Sequence, residues 1–425
     1  MLSSSTREAF ATSFRSLRHR NFRLYFLGQL VSLIGTWMQT VAQGWLMHRL
    51  TSSPFMLGLL GFCQFAPVMV FSLWAGVIAD RVDKRKLLII TQSVAMLQAV
   101  VLATLTSAGV VTPWMVLGLA LVFGVFNAFD LPPRQAFLVE MAGKEDLSNA
   151  IALNSAAFNA ARVIGPAIAG VLVATVGEQS CFWINAVSYL AVLYSLWRIQ
   201  VPPREALRGA ENTFAYLREG VSYAWRLGPI RNLLLLLGVV AGLGFQYLIL
   251  LPVFTRDILH AGAGVYGLLV SAFGIGSLLS AAVLTRQLDR WALRRNLLIG
   301  LASAGIGMGT VAWSRSIPLT TVMGLVSGFG LILYVASTNT LIQHTVEDRF
   351  RGRVMSLYTL MLIGTAPIGS LFLGSVAQRF GAPVATTISA ITLFGGALWV
   401  SYRLRVIAAR EAAGVLTVPT TEKLG

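Results

Sequence analysis

Five polar side chains recur through the first long apolar run: Gln29, Ser32, Thr36, Gln39 and Gln43, stepping by 3, 4, 3 and 4. On a helix this spacing places them on one face, over about 21 Å at 1.5 Å per residue. Hydrocarbon penalises such a row, so it must face protein or water. Interhelical hydrogen bonds average well under 1 kcal/mol, which makes the row longer than bonding between helices needs. A face lining a water-accessible cavity is the favoured reading, and hydrogen-bonded packing stays open beside it.

A second candidate is Arg162, about thirteen positions from one end of the fifth apolar run, with Ser155 and Asn159 on its face at i−7 and i−3. An arginine at that depth costs at least about 2.5–3.5 kcal/mol, so it belongs against a partner or an aqueous cavity. It is expected to meet a polar group of the first run, an anionic part of a solute, or backbone carbonyls. Asp130, about 15 Å away in depth, is a poor partner for it. In the second half of the chain the positions matching the polar row are Gly238, Ala241, Phe245 and Leu248, almost wholly apolar, with Gln246, Tyr334, Asn339 and Tyr358 as scattered polar candidates. A cavity between such halves is polar on one wall and greasy on the other, which suits an amphipathic organic solute. No His-Glu-x-x-His, paired mid-membrane aspartates or Ser–His arrangement is evident, so no enzyme is expected.

The elements that position these residues are long apolar segments. Of 425 residues, 56% are hydrophobic and 12% charged, against about 25% charged in soluble domains. A spanning helix needs roughly 20 apolar residues, and twelve such runs fall at approximately 22–47, 54–79, 87–108, 112–133, 149–176, 180–199, 231–254, 264–285, 296–314, 317–342, 354–378 and 383–404. The net charge of +16 would point to nucleic acid in a soluble chain. Its distribution points elsewhere. Of 33 Lys and Arg, all fall at the termini and even-numbered turns except Arg49, Arg256, Arg315 and Arg379 on the other side and Arg162 within a span. That places both termini in the cytoplasm and makes the number of spans even. The fold class expected is an all-α membrane protein of twelve transmembrane helices in two six-helix bundles.

The organisation expected is an amphipathic segment 1–21 on the inner membrane surface, with Phe10, Phe14 and Leu17 on one face, then a bundle over 22–199. A basic amphipathic linker over 200–230, a second bundle over 231–404 and a tail over 405–425 complete it. A shift of about 204 residues lays Gly170 and Gly177 on Gly374 and Gly381, and KEDLSNAIALN on DRFRGRVMSLY. Weak similarity with unchanged polarity is expected of two bundles related by an axis along the membrane normal. Cys63 and Cys181 read as packing residues, not a disulfide framework. His19, His48, His260 and His344 are too scattered for a metal site.

Between the second and third runs lies GVIADRVDKRK, Gly76 to Lys86. In this setting it resembles the turn between helices two and three of the major facilitator superfamily, Gly-x-x-x-Asp-Arg-x-Gly-Arg-Arg, with Asp83 in a glycine position. DRWALRR, from Asp289 and Arg290 onward, recurs like it in the second half. GPAIAG, Gly165 to Gly170, resembles the glycine-proline motif in the fifth helix of superfamily exporters, with Pro166 kept and Ala169 in a glycine position. With LRHRNFRLYFLGQLVSLIGTWM and FDLPPRQAFLVEM, the resemblance covers nearly the whole chain and extends to the bacterial branch of enterobactin-type siderophore exporters and macrolide efflux proteins.

The resemblance implies a monomeric secondary exporter of a drug-like compound or siderophore in the bacterial inner membrane. Its partners would be the solute and the bilayer, without a cofactor, and the proton would be the coupling ion. Lysophospholipid flipping and passive facilitation by the same fold remain open, and a scaffold without transport is disfavoured. It also implies a gate that locks the cytoplasmic side in the outward-facing state, in which Asp80 sits against the eleventh helix near Arg353, and Arg81 or Arg85 bridges to Asp130, with Lys86 in the same turn. Asp130 or Asp80 would then cycle protons with that gate.

Overall fold

The computed structural model describes residues 14–143, 145–199, 213–284 and 289–412, without the side chains of 73, 80, 213–217, 290 and 407–412. Helices α1 (Arg20–Thr51), α2 (Pro54–Arg81), α3 (Lys84–Ser107), α4 (Pro113–Ala142), α5 (Leu147–Thr175) and α6 (Glu178–Arg198) form the first bundle. The short helix α7 (Thr213–Arg226) leads to α8, which starts as Gly228–Val239 and runs on through π and 3-10 turns to Ile258. Then come α9 (Ala263–Leu284), α10 (Arg290–Trp313), α11 (Ile317–Thr345), α12 (Asp348–Gly364), α13 (Ala366–Phe380) and α14 (Ala382–Ala412). Helices α12 and α13 make one span broken at Thr365, where Pro367 restarts the helix.

Among the described residues, 11 segments are long and apolar enough to cross a membrane. The remaining span is α1, 32 residues long but diluted by its polar row. The chain is a multi-spanning all-α membrane protein.

The same contacts recur in both halves. In the first, α1 packs on α5 and α6, α2 on α4, and α3 on α4 and α6; in the second, α8 packs on α13 and α14, α9 on α11, and α10 on α11 and α14. The halves meet through α5 with α9 and α2 with α13, which are two copies of one contact.

The glycines that the internal repeat singles out do matching work. A Cβ at Gly170 would lie 3.0 Å from the Cα of Gly267, and one at Gly374 would lie 2.8 Å from the Cα of Gly58. Backbones touch there because no side chain intervenes. Gly177 and Gly381 close the next turns with φ of +102° and +90°, a region that side chains rarely adopt.

The basic turns are built by caps. Asp83 accepts from the Lys86 amide at 3.2 Å and starts α3; Asp289 accepts from the Ala292 amide at 2.9 Å and starts α10. Capping of a helix N-terminus is what an aspartate offers at such a turn. Asp289 thus does at the start of α10 what Asp83 does at the start of α3.

The start of the described chain departs from a surface-lying helix. Arg15–Arg18 is a single 3-10 turn docked on α5, with Arg15 and His19 pairing to Asp146 and Ser16 bonding to Asn149. Phe10, the linker over 200–212 and the tail from 413 lie outside the described residues. Helix α7 is amphipathic as its spacing predicts, burying Ala224 and stacking Tyr223 on Phe350 at 4.0 Å.

Candidate functional site

A cavity of about 500 Å³ lies inside the first bundle, lined by α1 to α6 and reaching the second bundle at Ile363. Gln29, Ser32 and Thr36 of the predicted row line it. Aromatic walls come from Trp37, Phe65, Phe123 and Phe158, and further amides from Gln64, Gln92, Asn127 and Asn154. The wall is therefore mixed, amide and hydroxyl against ring and methyl.

The upper two members of the row turn away from it. Gln39 donates to Gln98 at 2.9 Å and accepts from Asn185 at 2.7 Å, while Gln43 accepts from Gln64 at 3.5 Å. Gln39 is thus engaged by α3 and α6 and Gln43 by α2, although Gln43 Nε2 and Gln98 Nε2 are buried without a hydrogen-bond partner among the described residues. The row is thus cavity wall at Gln29, Ser32 and Thr36 and contact between helices at Gln39 and Gln43.

The other candidates fall outside the cavity lining. Ser155 is exposed, and Asn159 donates to its carbonyl at 2.9 Å along α5. Arg162 is sandwiched between rings where the bundles meet, its guanidinium 5.4 Å from Trp37 and 4.9 Å from Phe273. Those faces attract a cation without neutralising it. Phe245 joins the same aromatic patch, edge-on to Phe273 at 6.5 Å. Gln246 donates to the Ala241 carbonyl in the unwound part of α8 at 3.2 Å. Tyr334 is buried, Tyr358 donates to the Val335 carbonyl at 3.1 Å, and Asn339 accepts from Gln343 at 2.5 Å, all within the second bundle. Local bonds absorb all of these polar groups except the Tyr334 hydroxyl, which is buried without a partner among the described residues, and the polar wall is left to the first bundle.

The cavity holds one feature that inspection of single residues misses. Asp130, 3% exposed, accepts from Thr91 at 2.8 Å, from Gln92 at 2.7 Å and from Arg134 Nε at 2.7 Å. Arg134 Nη2 also contacts it, and both residues line the cavity. The i, i+4 spacing of Asp130 and Arg134 is a signal already present in the sequence.

In this conformation the bridge expected of the outward-facing state is not made. Arg85 instead caps the end of α6, donating to the Leu196 and Trp197 carbonyls at 2.6 Å each. Carbonyls ending a helix favour a cation there. Lys84, absent from the candidates, pairs with Glu140 at 2.7 Å. Arg353 donates to Glu219 of α7 and lies over Phe350, so it holds the linker helix. The side chains of Asp80 and Arg290 lie outside the described residues, and Arg81 is exposed. A Cβ at Gly76 would meet nothing within 4 Å, so it makes no close approach in this conformation. Gly165 does make one: its Cβ would fall 2.6 Å from Trp37. Pro166 is buried inside α5, with its carbonyl against Gly267.

Access is asymmetric. The bundles are sealed at the end away from the basic turns, by the Gly58–Gly374 and Gly170–Gly267 contacts. There too Ser53 donates to Gln378 at 2.7 Å, Trp45 stacks on Tyr266 at 5.9 Å, and His48 lies 3.0 Å from Asp257. The cavity lies in the other half, its lining extending to Gln135 and Leu138 within a turn or two of the basic end of α4.

Two like bundles around an off-centre cavity, closed at one face, define a major facilitator transporter. The chain belongs to the transmembrane secretion effector family of that superfamily, whose family model matches residues 11–422. It is 28% identical over 365 residues to the staphyloferrin A transporter of Staphylococcus aureus, covering 84% of this chain and 90% of that one. It is 25% identical to the multidrug efflux pump Tap of Mycolicibacterium fortuitum, covering 84% and 89%, and 23% identical to the enterobactin exporter EntS of Salmonella choleraesuis, covering 88% and 90%. Among solved structures, the nucleoside transporter NupG superposes with a TM-score of 0.71 at 13% identity, over 91% of this chain and 98% of that one. That likeness speaks to fold.

Proposed function

We propose that the protein exports an amphipathic small organic molecule across the bacterial inner membrane by alternating access, with its basic face in the cytoplasm. The observation that carries the reading is a mixed aromatic and amide cavity sealed at the far face and lying toward the basic one, where a cytoplasmic solute enters. The export relatives support the direction; the lining supports a solute with both ring or alkyl surface and hydrogen-bonding groups. Rocking of the bundles breaks the two glycine contacts and the Ser53, Trp45 and His48 links, then closes the basic face.

Asp130 is the proton site of this cycle. While Arg134, Thr91 and Gln92 bond it, its charge is compensated. A rearrangement that draws Arg134 toward solute would leave this buried carboxylate without its counter-ion, which ties the pair to the conformational cycle. Efflux from energised cells or everted vesicles, before and after collapse of the proton gradient, tests this. Export that stops on collapse, and stops in Asp130→Asn, is expected. An unchanged rate after collapse removes coupling, and absence of efflux for drug-like compounds alongside movement of labelled lysolipid replaces export with flipping.

A further inference from the structure

A second cavity, of about 200 Å³, lies on the second bundle at the face of the basic turns, among the ends of α8, α10, α11 and α14. Its floor is apolar, from Leu233, Leu297 and Leu341. Arg294 and Arg403 both line it, and no carboxylate does. Among the described residues neither arginine has an ion-pair partner; each lies over a tryptophan, Arg294 at 5.7 Å from Trp291 and Arg403 at 5.9 Å from Trp399. Two guanidiniums around one small hollow repel each other, and only an anion between them turns that into attraction. Trp291 and Trp399 are 44% and 37% exposed, as residues at the headgroup level of a membrane are.

We propose that this hollow binds the phosphodiester of an anionic phospholipid from the leaflet on the basic face. The two guanidiniums take the phosphate in charge-assisted hydrogen bonds, Thr345 and Asn232 of the lining stand by the headgroup, and the first part of an acyl chain covers the leucine floor. A basic rim over an apolar floor, set among helix ends at the membrane border, selects a lipid over a soluble anion, which has no use for the floor. The site is separate from the transport cavity and shares no lining residue with it.

The test uses the full chain, purified in detergent and stripped of lipid. Phosphatidylglycerol, phosphatidylcholine and inorganic phosphate are titrated separately, with binding read by native mass spectrometry and thermal midpoint. Phosphatidylglycerol is expected to bind and raise the midpoint, with phosphatidylcholine and phosphate well behind. In R294Q/R403Q the preference for phosphatidylglycerol should fall about 25-fold, from roughly fivefold per basic residue. If that double variant does not fold, R403Q, at an exposed position of α14, carries the test with a fivefold expectation. Equal binding of the two lipids, or an unchanged preference in the variants, overturns the site. Phosphate matching phosphatidylglycerol makes it a soluble-anion pocket and overturns the lipid.

Discussion

Adding one methyl group at Gly267 should turn the resting transporter around. In the structure a Cβ there would stand 2.5 Å from the Pro166 carbonyl oxygen and 2.6 Å from the Cα of Gly170. Both atoms belong to the backbone of α5, so no side chain can rotate away, and the helices must separate by about 1 Å. Overpacking of this kind costs about 1–3 kcal/mol. Because the contact joins the two bundles, most of the penalty falls on the state closed at this face. Gly267→Ala should therefore move the equilibrium about 5- to 150-fold toward the state open there. Spin labels at Ser53→Cys and Gln378→Cys, in a background without Cys63 and Cys181, report the separation of α2 and α13 by pulsed dipolar spectroscopy. A gain in the long-distance population is the expected outcome. Gly76→Ala, with open space around its Cβ, is the control that should change nothing. A folded Gly267→Ala protein with the parent's distance distribution would refute the assignment of this contact as the far-face seal.

Asp130→Asn and Arg134→Gln should each lower thermal stability by about 3–5 kcal/mol equivalent, because each leaves one buried charge uncompensated, and the double variant should regain much of it; thermal melts in detergent check this, and neither single variant nor the double should couple to protons. Gln29→Leu and Thr36→Val should raise the KM for export with modest loss of stability, whereas Gln39→Leu should destabilise by about 1–2 kcal/mol and leave KM nearly unchanged, which a paired transport and melting series separates. Asp83→Ala should cost about 1 kcal/mol by removing the α3 cap, with Asp83→Asn close to the parent protein, again read by thermal melts.

The span count, the two-bundle plan and the repeat were legible because they rest on long-range regularity. Hydropathy, the side of each lysine and arginine, and the glycine pairs 170/374 and 177/381 all repeat, and repetition survives the loss of detail. Gln29, Ser32 and Thr36 were legible as cavity wall for the same reason. Gln39 was not distinguishable from them, since helical spacing fixes a face but not which of its members the neighbouring helices will engage. The gate residues were least legible. Arg85 and Arg353 sit in a turn and a helix start whose neighbours are set by tertiary packing, so the α6 carbonyls and Glu219 could not be foreseen from local pattern. Arg162 reads from the sequence as a mid-span cation in need of company. Its neighbours, Trp37 and Phe273, come from different bundles, which no helical wheel relates.

The most direct test of the central claim is the side from which the cavity is reached. A single cysteine at Ser32, in the background lacking Cys63 and Cys181, is exposed to a membrane-impermeant thiol reagent in inside-out and right-side-out vesicles. Labelling of resting protein through the cytoplasmic face, with little through the other, is the predicted result. Ready labelling from the outer face would contradict both the sealed far side and the export reading built on it.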